Sequence, residues 1–95
     1  MGAPEAKNEN YLRKRVKAEH GEIRKLKWIG RRGAPDDLVW WSGPRMAFVE
    51  VKSPYGRLSP LQVQEISRLR KDGFAVYVVH NFEEIDAMIA EVKGT

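Results

Sequence analysis

A β-hairpin is predicted by the stretch from residue 37 to residue 52, which reads DLVWWSGPRMAFVEVK. Apolar and β-branched residues indicate strands over 37–41 and 46–51, and a Ser-Gly-Pro turn separates them. Side chains alternate along a strand, so Glu50 and Lys52 share a face and can point into one site. The same spacing also fits an exposed ion pair, so the hairpin alone does not decide between a site and a solvated face.

Five further elements surround the hairpin. They are a helix over 5–20 that Gly21 ends, a strand over 22–29, a helix from Ser59-Pro60 to about Lys71, a strand over 75–80, and a last helix that Asn81 caps and that runs to about Val92. The order α-β-β-β-α-β-α predicts an α/β domain with a sheet of about four strands flanked by helices.

The chain length fits one domain. The sequence has 95 residues, of which 42% are apolar or aromatic, which is enough for one core and too few for two. We expect a single domain over residues 1–95 with its core at about 5–92. Cysteine is absent, which excludes disulfides, thiolate metal sites and a cysteine nucleophile.

Nothing in the sequence predicts a membrane partner. No apolar run approaches the roughly 18 residues of a spanning helix, and the polar start of the chain lacks the apolar stretch of a secretory signal. We therefore expect a cytoplasmic protein. Its small size hints at a phage or mobile-element origin within a bacterial host.

Basic residues concentrate in the first third of the chain. Overall, 17 Lys and Arg stand against 13 Asp and Glu, a net charge of +4. An asymmetric basic surface predicts a polyanionic partner, although a solvated basic face would look the same. The candidate residues for binding such a partner are Arg13, Lys14, Lys17, Arg31 and Arg32.

Two polar residues stand where helix packing prefers apolar ones. Glu9 lies three residues before Leu12, on the apolar side of the first helix. Gln62 lies four residues before Ile66, on the packing side of the second helix. A solvated Glu9 and a Gln62 that caps the backbone are the alternatives, since an unpaired buried amide costs about 1–3 kcal/mol.

The order of these features resembles the VRR-NUC family of the PD-(D/E)xK nuclease superfamily over residues 8–80. The matching segments are Glu9, Gly33-Ala34-Pro35-Asp36, Glu50-Val51-Lys52 and Leu58-Ser59-Pro60-Leu61-Gln62. The resemblance implies a restriction-endonuclease-like core with a mixed sheet, and a divalent-metal-dependent endonuclease activity on DNA.

The resemblance also implies roles for individual residues. Glu9, Asp36, Glu50 and the carbonyl of Val51 would hold Mg²⁺ or Mn²⁺, hard cations that take oxygen ligands. The implied catalytic set is Asp36, Glu50, Lys52 and Gln62. Lys52 would orient or deprotonate the attacking water, and Gln62 would steady the site.

Two assignments have competitors nearby. Asp37 follows Asp36, and only one of them can face Glu50 because side chains alternate along a strand. We choose Asp36 because it directly follows Pro35. Gln64 competes with Gln62, but it falls on the basic side of its helix.

The predicted substrate is branched DNA, such as a four-way junction, cut by a homodimer without a small-molecule cofactor. Trp40 and Trp41 cannot both point inward from one strand, so one of them needs a cover, which favours a dimer. The rivals are a duplex-cutting nuclease of restriction type and a non-catalytic DNA-binding module. The tryptophans and Tyr55 are interpreted as core or interface residues, with base stacking as the alternative.

Overall fold

The computed structural model describes residues 3–94, with side chains from residue 5 onward. Its elements are α1 (Ala3–Ala18), β1 (Glu22–Lys25), β2 (Asp37–Trp41), β3 (Arg45–Val51), α2 (Pro60–Lys71), β4 (Val76–Val79) and α3 (Phe82–Lys93). The predicted order of helices and strands is therefore confirmed.

The four strands form one mixed sheet in the order β1-β2-β3-β4. The pairs β1–β2 and β2–β3 are antiparallel, and β3–β4 is parallel. Two antiparallel strands need only a short turn, whereas a parallel pair needs a crossover, which α2 supplies here. The predicted mixed sheet is confirmed, and its parallel strands end together at residues 51 and 79.

The main core lies between one face of the sheet and the helices α1 and α3. Val39, Ala47, Val49 and Val51 point to this face and are almost fully buried. They pack with a set of helical residues, namely Leu12, Val16, Ile85, Met88 and Ile89. α2 covers the other face, where Gln62 reaches Glu50 and Lys52.

The first strand is shorter than predicted. β1 ends at Lys25, so the predicted strand over 22–29 was wrong beyond that residue. Trp28 turns away to donate its indole N–H to the Pro35 carbonyl at 2.7 Å, and its ring packs 5.8 Å from that of Phe48. These tertiary contacts override the alternating pattern that favoured a longer strand.

The end of α1 also differs from the prediction. The left-handed residue is His20, with φ 68°, and not Gly21. Gly21 is buried, and a Cβ atom there would lie 2.5 Å from the Trp41 ring. The glycine is therefore needed for the close approach of Trp41 and not for the helix cap. Across residues 3–94, no helix combines the length and apolar character that crossing a membrane requires.

Candidate active site

The end of β3 places an acid and an amine side by side. Glu50 and Lys52 point to the α2 face, with Lys52 Nζ 3.8 Å from Glu50 Oε2. The Glu50 side chain is 3% exposed and that of Lys52 is 15% exposed. An ion pair this sheltered keeps more of its electrostatic strength than an exposed one, so the pair is more than a solvated strand face.

Gln62 joins this pair from the start of α2. Its Oε1 accepts from Lys52 Nζ at 2.8 Å and from the Ser59 backbone N–H at 2.8 Å, while its Nε2 donates to Glu50 Oε2 at 3.1 Å. The Ser59 hydroxyl accepts from the Gln62 N–H, which completes a capping box. Gln62 therefore caps the helix and also holds the acid and the amine together.

Gly33 brings the preceding loop against the start of α2. Its φ is +82°, and a Cβ atom there would lie 2.5 Å from the Leu61 carbonyl oxygen. Any side chain would thus meet both backbone strain and a clash. Pro35 follows in the loop; it is buried, and its carbonyl accepts the hydrogen bond from the Trp28 indole. These contacts hold Asp36 in a defined position directly before the start of β2.

Asp36 and Asp37 point to opposite faces of the sheet. Asp37 pairs with Val49 across β2 and β3 and is fully buried on the core side. Alternation then puts Asp36 on the face of Glu50. Burial, and next the charge of Asp36, raise the pKa of Glu50 from 4.5 to about 7, while Lys52 opposes this shift.

A second acidic pair lies on the opposite face of the sheet, the core face that α1 and α3 cover, called the α1 face below. Burial, and next the adjacent carboxyl of Glu9, raise the pKa of Asp37 from 3.8 to about 8. Neither oxygen of Asp37 accepts a hydrogen bond from a protein donor among the described residues. Lys25 lies opposite Asp37 in β1, and its Nζ is 3.4 Å from Glu9 Oε1. The two acids therefore share one pocket, with Lys25 at its side.

The position of Glu9 differs from the one that the resemblance implies. Its contacts are with Lys25, with Arg13 at 3.8 Å and with Asp37, whereas the α1 acid whose charge raises the pKa of Glu50 is Glu5. Glu5 was not among the residues predicted from the sequence, and it lies in the exposed first turn of α1. Its spacing of four residues from Glu9 was the available signal.

Asn8 is a further residue that the sequence did not reveal. It is 3% exposed, and its Nδ2 donates to the carbonyls of Lys52 at 2.8 Å and His80 at 2.7 Å. These carbonyls follow the ends of β3 and β4. One buried amide therefore ties α1 to both parallel strands next to the candidate site.

The predicted DNA-binding residues fall into two groups. Arg31 pairs with the nearly buried Glu65 at 3.3 Å, and Arg13 lies 3.8 Å from Glu9. The other three are exposed and form no ion pair within the part of the chain that the structure describes: Lys14, Lys17 and Arg32. Arg31 therefore anchors its loop to α2, whereas these three present their charge to solvent.

The donor set near Glu50 fits a hard divalent cation in part. Glu50 Oε1 is buried and lacks a hydrogen-bond partner, and Asp36 offers a second carboxylate on the same face. Val51, the implied carbonyl ligand, lies between Glu50 and Lys52 with its side chain in the core. Among the described residues, no three His, Asp or Glu side chains are grouped closely enough to form a metal cluster. The geometry thus supports two carboxylates, with remaining positions for a carbonyl or water.

Comparison with known proteins agrees with this architecture. The VRR-NUC domain family matches residues 3–83. The chain belongs to the VRR-NUC family. A solved structure of a VRR-NUC domain superposes with a TM-score of 0.84 at 39% identity, over 90% of this chain and 94% of that one.

A relative from a phage carries a name that states an activity. It is called "Putative nuclease p44", comes from Acyrthosiphon pisum secondary endosymbiont phage 1, and is 37% identical over 79 residues, covering 76% of this chain and 84% of its own length. The family and this relative together support a nuclease. The resemblance to the VRR-NUC family, which rested on the residues alone, is confirmed.

Proposed function

We propose that this VRR-NUC domain is a divalent-metal-dependent endonuclease that hydrolyses phosphodiester bonds in branched DNA. The observation that carries the proposal is the convergence of Asp36, Glu50, Lys52 and Gln62 from three elements onto one face of the sheet. A sheltered acid with a raised pKa beside an amine is typical of a site built for chemistry.

Asp36 and Glu50 would hold Mg²⁺ or Mn²⁺ together with the Val51 carbonyl, whereas Glu9 lies against Asp37 on the α1 face and would not be a direct ligand of this cation. When bound, such a cation lowers the pKa of water and stabilises negative charge on a phosphate. Burial, and next the charge of Asp36, raise the pKa of Glu50, and the charge of Lys52 offsets this only in part. A cation at this site would therefore be favoured electrostatically, and its binding would stabilise the fold.

Lys52 and Gln62 have complementary roles in the proposed reaction. The Gln62 carbonyl oxygen and Glu50 hold the Lys52 ammonium in place. An ammonium fixed in this way can orient the attacking water by hydrogen bonding and offset the charge that develops on the phosphate. Gln62 acts through Lys52 and Glu50, so it is a positioning residue in this scheme.

Sequence-independent contacts to phosphates would provide the grip on DNA. The exposed charges of Lys14, Lys17 and Arg32 suit this role, and Arg13 is exposed beside them on α1. Arg31 would contribute mainly by holding the loop that carries Arg32. Selection among DNAs would then depend on their shape.

The homodimer remains a prediction. One of the two adjacent tryptophans needs a cover: Trp41 is buried in the core, and the Arg24 guanidinium covers Trp40, 5.0 Å from the centre of its ring. Support for a dimer therefore comes from the two-fold symmetry of a four-way junction, which two linked sites would match. Sedimentation of the purified protein tests this separately.

A cleavage panel tests the proposed function. Four-way junctions, flaps, single strands and linear duplexes of matched sequence are incubated with the protein in Mg²⁺, Mn²⁺ or EDTA. We expect cutting of branched DNA that requires the metal and is lost in Asp36→Asn. Equal cutting of linear duplex would instead favour a restriction-type nuclease, and DNA binding without cutting would favour a non-catalytic module.

A further inference from the structure

Tyr55 is an almost fully exposed aromatic residue next to the candidate active site. Its exposed fraction is 97%, so both faces of the ring are free. It lies in the segment between Lys52 and the start of α2, which are the two parts of the chain that build the site. Leaving a ring of this size unburied forgoes a large stabilisation, which a binding role would explain.

The backbone around Tyr55 is held in a tight turn. The Gly56 N–H donates to the Ser53 carbonyl at 3.0 Å, so residues 53–56 form a β-turn with Pro54 at its second position. Gly56 packs close to Lys52, since a Cβ atom there would lie 3.3 Å from Lys52 Cβ. The turn is therefore packed against the end of β3, next to Lys52, and Tyr55 lies at the tip of the turn.

Both the charge and the position of this turn suit nucleic acid. Arg57 follows two residues later and is exposed. If a phosphate of the DNA binds beside Lys52, the nucleotides next to that phosphate would lie near Tyr55 and Arg57. Aromatic side chains stack on nucleobases of any sequence, and an adjacent cation binds the backbone.

We propose that Tyr55 stacks on an unstacked nucleobase of the DNA next to the scissile phosphate, and so favours branched over fully paired substrates. In an intact duplex each base is covered by its neighbours, so Tyr55 would find no free face there. At a branch point, flap or single-stranded end, a base can leave the stack. This inference rests on the proposed function and names the feature of the substrate that the site would select.

The test combines substitution of Tyr55 with a fluorescent base. Branched DNAs that carry 2-aminopurine at each branch-point nucleotide in turn are titrated with protein in EDTA. The Asp36→Asn background is used because it cannot cut and repels phosphate less. Stacking of 2-aminopurine on the ring should quench its fluorescence with Tyr55 and with Tyr55→Phe, but not with Tyr55→Leu. Affinity of Tyr55→Leu for branched DNA should fall about tenfold, with duplex affinity unchanged.

Controls separate this inference from its alternatives. Met46→Ala, an exposed apolar position at the far end of β3, should leave binding unchanged. Equal loss on branched and duplex DNA, loss in Tyr55→Phe, or a changed oligomeric state in Tyr55→Leu would each overturn stacking. If the otherwise unsubstituted protein cuts branched DNA in Mg²⁺ and all Tyr55 variants behave alike, only this inference fails. If it cuts no DNA, the proposed function itself fails.

Discussion

The two faces of the sheet carry different acidic pairs at the same end of β2. On the α2 face, Asp36 and Glu50 lie with Lys52 and Gln62. There the Gln62 amide forms hydrogen bonds with both Lys52 and Glu50. On the α1 face, Asp37 has no donor partner among the described residues and lies against Glu9. Consecutive residues thus enter two different environments, because a strand sends neighbours to opposite sides.

This difference separates a site for chemistry from a buried pair that costs stability. A carboxylate that is held by an amine and an amide keeps a defined geometry, whereas an unpaired buried one binds a proton instead. The α2 face therefore has the groups that a hydrolase needs. The α1 face holds Asp37, whose pKa is raised more than that of Glu50, and therefore has the larger influence on the pH dependence of folding.

The largest expected effect is a contrast between two lysines. Lys52→Met should lower kcat for DNA cleavage by about 10²–10⁴-fold, because it removes the amine from the site. Lys25→Met, the matched change on the α1 face, should leave kcat within about threefold, since Lys25 contacts Glu9 and Asp37. Steady-state cleavage of a junction in Mg²⁺ measures both. Comparable losses in the two variants would show that the faces are not functionally distinct.

A smaller effect is expected from two glutamines of α2. Gln62→Ala should lower kcat about 10–100-fold because Lys52 and Glu50 lose their shared partner. Gln64→Ala changes an exposed residue of the same helix and should have no effect. Cleavage rates at saturating DNA, with folding checked by circular dichroism, distinguish them. An unaffected Gln62→Ala would remove the amide from the mechanism.

Much of this arrangement could be predicted from the sequence. The hairpin, the helix cap at Ser59 and the final strand follow from local patterns of turns and apolar residues, and they place Glu50, Lys52 and Gln62 correctly. Alternation also indicated that only one of Asp36 and Asp37 could face Glu50. These features depend on neighbours in the sequence or on one strand pairing.

Other features depend on contacts between distant segments. β1 ends early because the Trp28 indole forms a hydrogen bond with the Pro35 carbonyl. Gly21 is required because the Trp41 ring lies too close to leave room for a side chain there. Asn8 binds carbonyls 44 and 72 residues away, so no local pattern marked it. Glu9 lies on the predicted side of α1, but only the packing of α1 on the sheet showed that it faces Asp37.

The pH dependence of stability tests the α1 face. The folded pKa of Asp37 is raised from 3.8 to about 8, so the folded state holds a proton that the unfolded state releases between these values. The stability that this group contributes is full below about pH 4 and is lost as the pH rises to about 8. Asp37→Asn should therefore gain about 1–3 kcal/mol relative to the original protein at pH 8, and less at pH 5.

Urea denaturation at pH 5 to 9 measures this gain. Asp72→Asn, an exposed change at the end of α2, serves as the control and should shift stability equally at every pH. A gain of Asp37→Asn that is larger at pH 5 than at pH 8 would contradict the raised pKa.

The smallest effect concerns the DNA backbone. Arg32→Ala should weaken binding a few-fold on all DNAs and reduce the slope of log affinity against log salt by about one, as expected for one lost phosphate contact. Lys71→Ala, at the end of α2, should leave the slope unchanged. Fluorescence anisotropy at several salt concentrations measures the slopes. Equal slopes for all three proteins would place the Arg32 loop outside the DNA interface.

Calorimetric titration with Mn²⁺ tests the central claim most directly, because it asks which of two adjacent aspartates holds the cation. The site proposed on the α2 face predicts that the unsubstituted protein binds Mn²⁺, that Asp36→Asn loses this binding and that Asp37→Asn keeps it. Retained binding in Asp36→Asn together with loss in Asp37→Asn would place the metal on the α1 face and contradict the proposed site.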